Sequence, residues 1–173
     1  PPIYTLFPYT TLFRSKGVLA FKKGHKEEAA DYFHQAIDAN PGYGEAYTNL
    51  GVLEWGRDNK EAAFTHLKKG FMLSPGIPDT SSLYYSIVSS LGRFSEAEAD
   101  FKEACRLNPN HKNLAFLLID ILIQQGKFDA AINKIEDALA LFGLDDGSLS
   151  AALAVREKIG PPQIEKASRK GTL

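Results

Sequence analysis

The stretch "GYGEAYTNLGVLEWGRDNKEAAFTHLKKGFMLSP", Gly42 to Pro75, contains two helical apolar patterns separated by a turn signal. Tyr47, Leu50 and Leu53 fall on one face of a first helix, and Ala63, Leu67 and Phe71 on one face of a second. "GRDN", Gly56 to Asn59, carries the turn chemistry between them. Pro75 then ends the unit, because proline has no N–H to continue a helical ladder. Working outward, the same marks recur every 34 residues: Pro41, Pro75 and Pro109; Ala29, Ala63, Ala97 and Ala131; Phe33, Leu67, Phe101 and Ile135; Ala36, Gly70, Ala104 and Ala138. Gly24, Gly92 and Gly126 keep the period in the turns, with Asp58 in the second copy. Four in-register copies make this a repeat protein rather than a chain with one motif. The periodic small residues have a physical reason, since helices whose axes approach to about 8–10 Å have room only for Ala or Gly where their ridges interlock. A lone hairpin cannot bury its own apolar face, so neighbouring hairpins share one continuous core.

At these residues the chain resembles the tetratricopeptide repeat family, whose unit is a 34-residue helical hairpin. The resemblance covers Lys16 to about Leu141, with a truncated first unit. In the second unit it rests on Tyr47, Leu50, Gly51, Ala63, Leu67, Gly70 and Pro75. In the first it rests on Gly17, Gly24, Ala29, Phe33, Ala36 and Pro41. The third unit has Tyr85, and the fourth Ile119, where the family carries a small residue, and Gly143 stands in place of the fourth proline. Regular helix spacing is therefore not expected around Tyr85 and Ile119. The resemblance implies an all-α fold, an α-solenoid of stacked antiparallel hairpins coiled as a right-handed superhelix, with four repeats over residues 16–143. "SLSAALAVREKI", Ser148 to Ile159, has one apolar stripe and is expected to form a C-terminal capping helix within residues 144–160, stopped by Gly160-Pro161-Pro162. Residues 161–173 are polar and basic and read as a linker or tail.

"TLFPYTTLFRS", Thr5 to Ser15, does not share this pattern and resembles a short-read sequencing adapter translated in one frame. Residues 1–15 are accordingly read as foreign to the fold, with natural sequence beginning near Lys16. That leaves 173 − 15 = 158 residues, enough for one domain with a real core. Twenty basic against 21 acidic residues, a net charge of −1, argue against a nucleic-acid partner or an anionic membrane surface. The longest apolar run, Leu114 to Ile123, is about half a bilayer span and carries Asp120, so no membrane span is expected. Cys105 is the only cysteine, which excludes an intrachain disulfide; a cytoplasmic location is the expectation.

No enzymatic constellation is present: there is no phosphate loop, HExxH, CxxC pair or GxSxG. No catalytic residue, cofactor or metal is expected. His25, His34, His66 and His111 fall at four different repeat positions and never at the i, i+4 spacing of a helical metal pair; they read as surface histidines. Cys105 reads as a small core residue, and Glu96, Glu98, Asp100 and Glu103 as a solvated acidic helix face.

In the family that the chain resembles, the first helix of each unit lines a concave groove. Residues at i, i+4 and i+7 of those helices form one stripe per repeat. These are Thr48, Val52 and Trp55 in the second unit, Ser82, Ser86 and Ser89 in the third, and Phe116, Asp120 and Ile123 in the fourth, with Val18 and Phe21 from the first. The expected groove is neutral, with apolar ends and a serine-rich middle. Family members that clasp acidic chaperone tails use Lys, Arg and Asn here. Only Asn49 has a counterpart, and Asp79 and Leu83 stand where cations would be needed, so such tails are disfavoured. A protein or peptide segment with apolar anchors fits better, because exposed Trp and Phe are common hot spots. The competing account is that Trp55, Phe116 and Ile123 simply pack on adjacent helices. A second function stays open as well: "GPPQIEKASRKGTL" is similar to a linker that precedes the glycosyltransferase domain of some bacterial repeat proteins, which would make this chain the helical-repeat part of a larger enzyme.

Overall fold

A computed structural model describes residues 7–143; the expected capping helix and tail lie outside the described residues. Among the described residues the chain forms eight helices and no strands: α1 Phe7–Lys22, α2 Lys26–Ala39, α3 Gly44–Trp55, α4 Lys60–Leu73, α5 Pro78–Leu91, α6 Phe94–Leu107, α7 Lys112–Gln124 and α8 Phe128–Phe142. This is the all-α helical-repeat fold that the 34-residue period dictates. The helices fall into two compact units, α1 to α6 within Pro1–Asn108 and α7 with α8 within Pro109–Leu173.

The punctuation works as the residue types require. α2, α4 and α6 each stop two residues before a proline, and the intervening Asn40, Ser74 and Asn108 leave the helical region, with φ of −151°, −146° and −131°. A residue before proline is pushed out of the α region by the proline ring. Inside each hairpin the turn needs one left-handed residue, and it falls at Gly24, Asp58, Gly92 and Gly126 with φ of 82°, 62°, 68° and 69°. Glycine adopts this conformation without penalty, and Asp is one of the few side chains that tolerates it. Pro78 sits in the first turn of α5, where its missing N–H costs nothing.

In the first unit α1 packs on α2 and α3 on α4, and each first helix also lies beside the next, α1 by α3 and α3 by α5. The periodic alanines Ala29, Ala63 and Ala97 are fully buried, as is Ala131 in the second unit. A β-carbon built on Gly17 would come within 2.5 Å of Phe33 Cε1, and one on Gly51 within 2.5 Å of Leu67 Cγ. The α1–α2 and α3–α4 crossings are thus backbone-close, which is why those positions are glycine.

The third hairpin is built differently. α5 and α6 approach each other far less closely than α1 and α2 do. Tyr85 and Tyr84 replace the glycine and leucine of the second unit. Tyr84 is completely buried, stacks on Phe101 with ring centroids 5.6 Å apart and an interplanar angle of 3°, and lies 5.1 Å from Phe71 and 5.8 Å from Phe64. Phe71 and Phe101 close the cluster at 4.6 Å. Offset aromatic packing at such separations contributes about 0.5–1.5 kcal/mol per pair beyond area burial. In the second unit Ile119 is buried against Ile135 and Ala138, with Phe116, Ile123, Leu139 and Phe142 packed around them.

The N-terminal residues read as foreign continue the first helix: α1 runs back to Phe7, Thr10 is buried, and the Arg14 guanidinium pairs with Glu45 of α3 at 2.8 Å. A helical conformation is open to most sequences, and it does not bear on the segment's provenance.

Candidate functional site

The expected stripe divides into residues facing solvent and residues drawn into packing. On the first unit, Phe21 is 36% exposed and Trp55 is 41% exposed. They occupy the same register, 34 residues apart, at the ends of the neighbouring helices α1 and α3. Ser82, Ser86 and Ser89 are exposed along α5, and Val52 is half-buried. The Ser86 hydroxyl donates to the Ser82 carbonyl at 2.8 Å, so it is self-satisfied within its own helix.

Thr48 requires a correction: it belongs to the interior, not to the open stripe. It is 8% exposed, its hydroxyl donates to the Gly44 carbonyl at 3.1 Å, and it lies 3.3 Å from the Thr80 hydroxyl of α5. The cause is the glycine opposite. A β-carbon on Gly70 would run into the Thr48 hydroxyl and lie 2.9 Å from the Thr48 backbone nitrogen, so α4 presses against α3 there and covers Thr48. Asn49 is half-buried and donates its amide to the Glu45 carbonyl at 2.8 Å, which leaves its side-chain oxygen as the group available to a ligand.

On the second unit the packing account holds for Phe116 and Ile123, which lie against the Ile119, Ile135 and Ala138 cluster. Lys112 sits over the Phe116 ring at 5.7 Å, and Asp120 accepts a bond from Gln124 at 3.5 Å.

The acidic face of α6 is also more than solvated charge. Asp100 accepts the Tyr84 hydroxyl at 2.6 Å and pairs with Lys68 of α4 at 2.9 Å. Glu98 pairs with Lys102 at 2.7 Å, Glu103 with Arg106 at 2.7 Å, and Glu96 with Arg93 at 3.5 Å. Burial, and then the carboxylate it bonds, holds the Tyr84 phenol well above its ordinary range. Asp100 is thus the polar end of the aromatic cluster. The sequence signal for it was available only as a charge three residues from Ala97, with nothing to show that a tyrosine faced it.

Of the histidines, His66 is half-buried on α4, and burial together with nearby His34 pushes its pKa below 6.5. Among the described residues no group of three or more His, Cys, Asp or Glu could hold a metal ion, and no helix is long and apolar enough to cross a membrane. Cys105 is partly buried on α6.

Between repeats, ion pairs fasten the turn edges. Arg57, after α3, reaches Glu27 of α2 at 3.1 Å and Glu54 at 2.8 Å. Arg93, after α5, grips both oxygens of Glu61 of α4 at 2.7 and 2.8 Å and lies over the Phe64 ring at 4.6 Å. Lys26 of α2 donates to the Gly56 carbonyl at the end of α3, 3.1 Å away.

Stacked hairpins with small residues at their crossings and an open first-helix face define a helical-repeat protein. The family follows from sequence as well as architecture: profiles described as tetratricopeptide repeat match residues 15–69 and 90–155, and the chain belongs to the tetratricopeptide repeat family. It is similar to a protein described as a STIP1 homolog in Dictyostelium discoideum, 30% identical over 115 residues that make up 64% of this chain and 20% of that protein. The chain therefore spans about a fifth of the length of the curated relative it matches. Among solved structures it is similar to PilF of Pseudomonas aeruginosa, with a TM-score of 0.63 and 17% identity over 89% of this chain and 70% of that one. It also resembles YrrB, described as a TPR protein with an unusual peptide-binding site, with a TM-score of 0.58 and 15% identity over 83% and 74% of the two chains. MamA gives a TM-score of 0.57 and 22% identity over 87% of each chain. At these identities the structural likenesses speak for the fold alone.

Proposed function

We infer that this chain is a non-enzymatic protein-interaction scaffold that holds a protein or peptide segment against the first-helix face of its repeats by apolar anchors. The observation that carries the reading is the exposure of Phe21 and Trp55, two large apolar side chains at one register on adjacent first helices. A ring left in water on a rigid helix is a ready anchor point, since its burial by a partner contributes without a large ordering cost. The serines of α5 offer hydrogen bonds beside them. The peptide-binding description of YrrB and the tetratricopeptide membership are consistent with this use of the fold.

The site on the first unit comprises Phe21, Asn49, Val52, Trp55, Ser82, Ser86 and Ser89. Thr48 supports it from within. Phe116, Asp120 and Ile123 act mainly within the second unit. The chain's sole tryptophan makes the test direct. Titration with peptide libraries should shift Trp55 emission, and Trp55→Ala should weaken binding by about 2 kcal/mol or more, as for other hot-spot truncations. Unchanged emission with every library, together with unaltered capture of the same partners by the Trp55→Ala protein, would leave the proposal without support.

The second reading, a repeat segment of a larger enzyme, is kept because this chain matches only a fifth of its curated relative. Reading the gene past Leu173 decides it: a nucleotide-sugar-binding domain would support it, and an immediate stop codon would end it.

A further inference from the structure

The edge of the site at Trp55 carries a positive charge that the stripe itself lacks. "KKGHK", Lys22 to Lys26, follows Phe21 directly, and Lys22 and Lys23 are exposed. The Lys26 ammonium rests on the carbonyl of Gly56, the residue after Trp55, at 3.1 Å. The carboxylates on this edge are committed elsewhere: Glu27 and Glu54 to Arg57, Glu28 to His25 at 3.2 Å, and Asp58 to Lys60 at 3.6 Å. Among the described residues none of the three lysines is paired with a carboxylate. Gly56 adds no side chain, and a β-carbon placed there would touch only carbonyls of its own helix at 3.5 and 3.6 Å, so the space beside Trp55 is open.

We propose that the segment bound at Phe21 and Trp55 carries acidic residues beside its apolar anchor, with the anchor against the two rings and the carboxylates against Lys22 and Lys26. This rests on the groove reading above and names the chemistry of its partner. It does not revive a carboxylate clamp along the helix faces, where Asp79 and Leu83 offer no cation; the cations stand at the turn edge. Lysines at a helix C-terminus also favour the helix dipole, so a purely structural role is the competing account.

The whole chain would be titrated with three peptides sharing one bulky apolar anchor and flanked by glutamates, serines or lysines, read by Trp55 emission. The glutamate peptide should bind roughly threefold to tenfold more tightly than the serine peptide at low salt, the range expected for one or two solvent-exposed ion pairs. The advantage should shrink as salt is raised. Lys22→Glu with Lys26→Glu should reverse the order and favour the lysine peptide. Lys22→Gln leaves the Lys26 bond to Gly56 intact and should by itself weaken glutamate-peptide binding. Equal affinity for all three peptides, or lysine variants that lower the melting temperature while leaving the peptide order unchanged, would overturn the proposal. Failure of every peptide to move Trp55 emission would remove the groove reading first and this inference with it.

Discussion

The second and third hairpins start from one template and solve its packing problem in opposite ways. In α3–α4 the backbones themselves meet: Gly44, Gly51 and Gly70 have no room for a β-carbon, and Thr48 is trapped where the helices touch. In α5–α6 the glycine is gone, the helices stand apart, and a four-ring cluster fills the space. A repeat motif therefore specifies a distance only where its small residues are kept. Where they are lost, bulk from the neighbouring position can supply the core instead.

That comparison can be broken from either side. The largest effect is expected from Phe71→Ala, which empties the centre of the ring cluster; a fully buried phenylalanine truncated to alanine costs about 3–5 kcal/mol, readable by denaturant titration. A smaller effect on the same reading would show that the cluster is loosely packed. Next comes Gly70→Val, whose β-carbon would meet the Thr48 nitrogen at 2.9 Å and the Gly44 carbonyl at 3.0 Å, both backbone atoms that cannot swing away. A loss of about 3 kcal/mol is expected, against a change within about 1 kcal/mol for Tyr85→Ala in the more open third hairpin. Equal losses at the two positions would erase the distinction. Tyr84→Phe keeps the stack but withdraws a hydroxyl from the Asp100 carboxylate, and thermal melts should register about 1–2 kcal/mol, because Lys68 still pairs with that carboxylate. The smallest effect is a gain: Asp58→Gly relieves the left-handed backbone at φ 62° and should add about 0.5–1 kcal/mol in the same melts, bringing the second turn into line with the other three.

The repeat period made most of the fold legible. Helix stops at Asn40, Ser74 and Asn108, and the left-handed turn residues, sit where proline and glycine chemistry put them, because these signals are local. The site was less legible. Trp55 and Phe21 face solvent as the stripe required, yet Thr48 at an equivalent stripe position is buried, because its fate depends on Gly70, a residue 22 positions away on another helix. Asp100 looked like surface charge for the same reason: its tyrosine partner comes from α5. Phe116 and Ile123 left two accounts open in the sequence, and the α7–α8 packing favours the internal one. Periodicity reports which face a residue occupies on its own helix, and only the neighbouring helix decides what covers that face.

The connectors between hairpins carry a consequence of their own. Residues 40–43, 74–77 and 108–111 are four each, so every second helix hands the chain to the next first helix over the same length of backbone. A duplicate of Gly42–Pro75 spliced after Pro75 would re-enter the following helix without a shift of phase. The number of hairpins is in this sense a setting that gene duplication can turn up or down, lengthening the recognition face without redesigning any single unit.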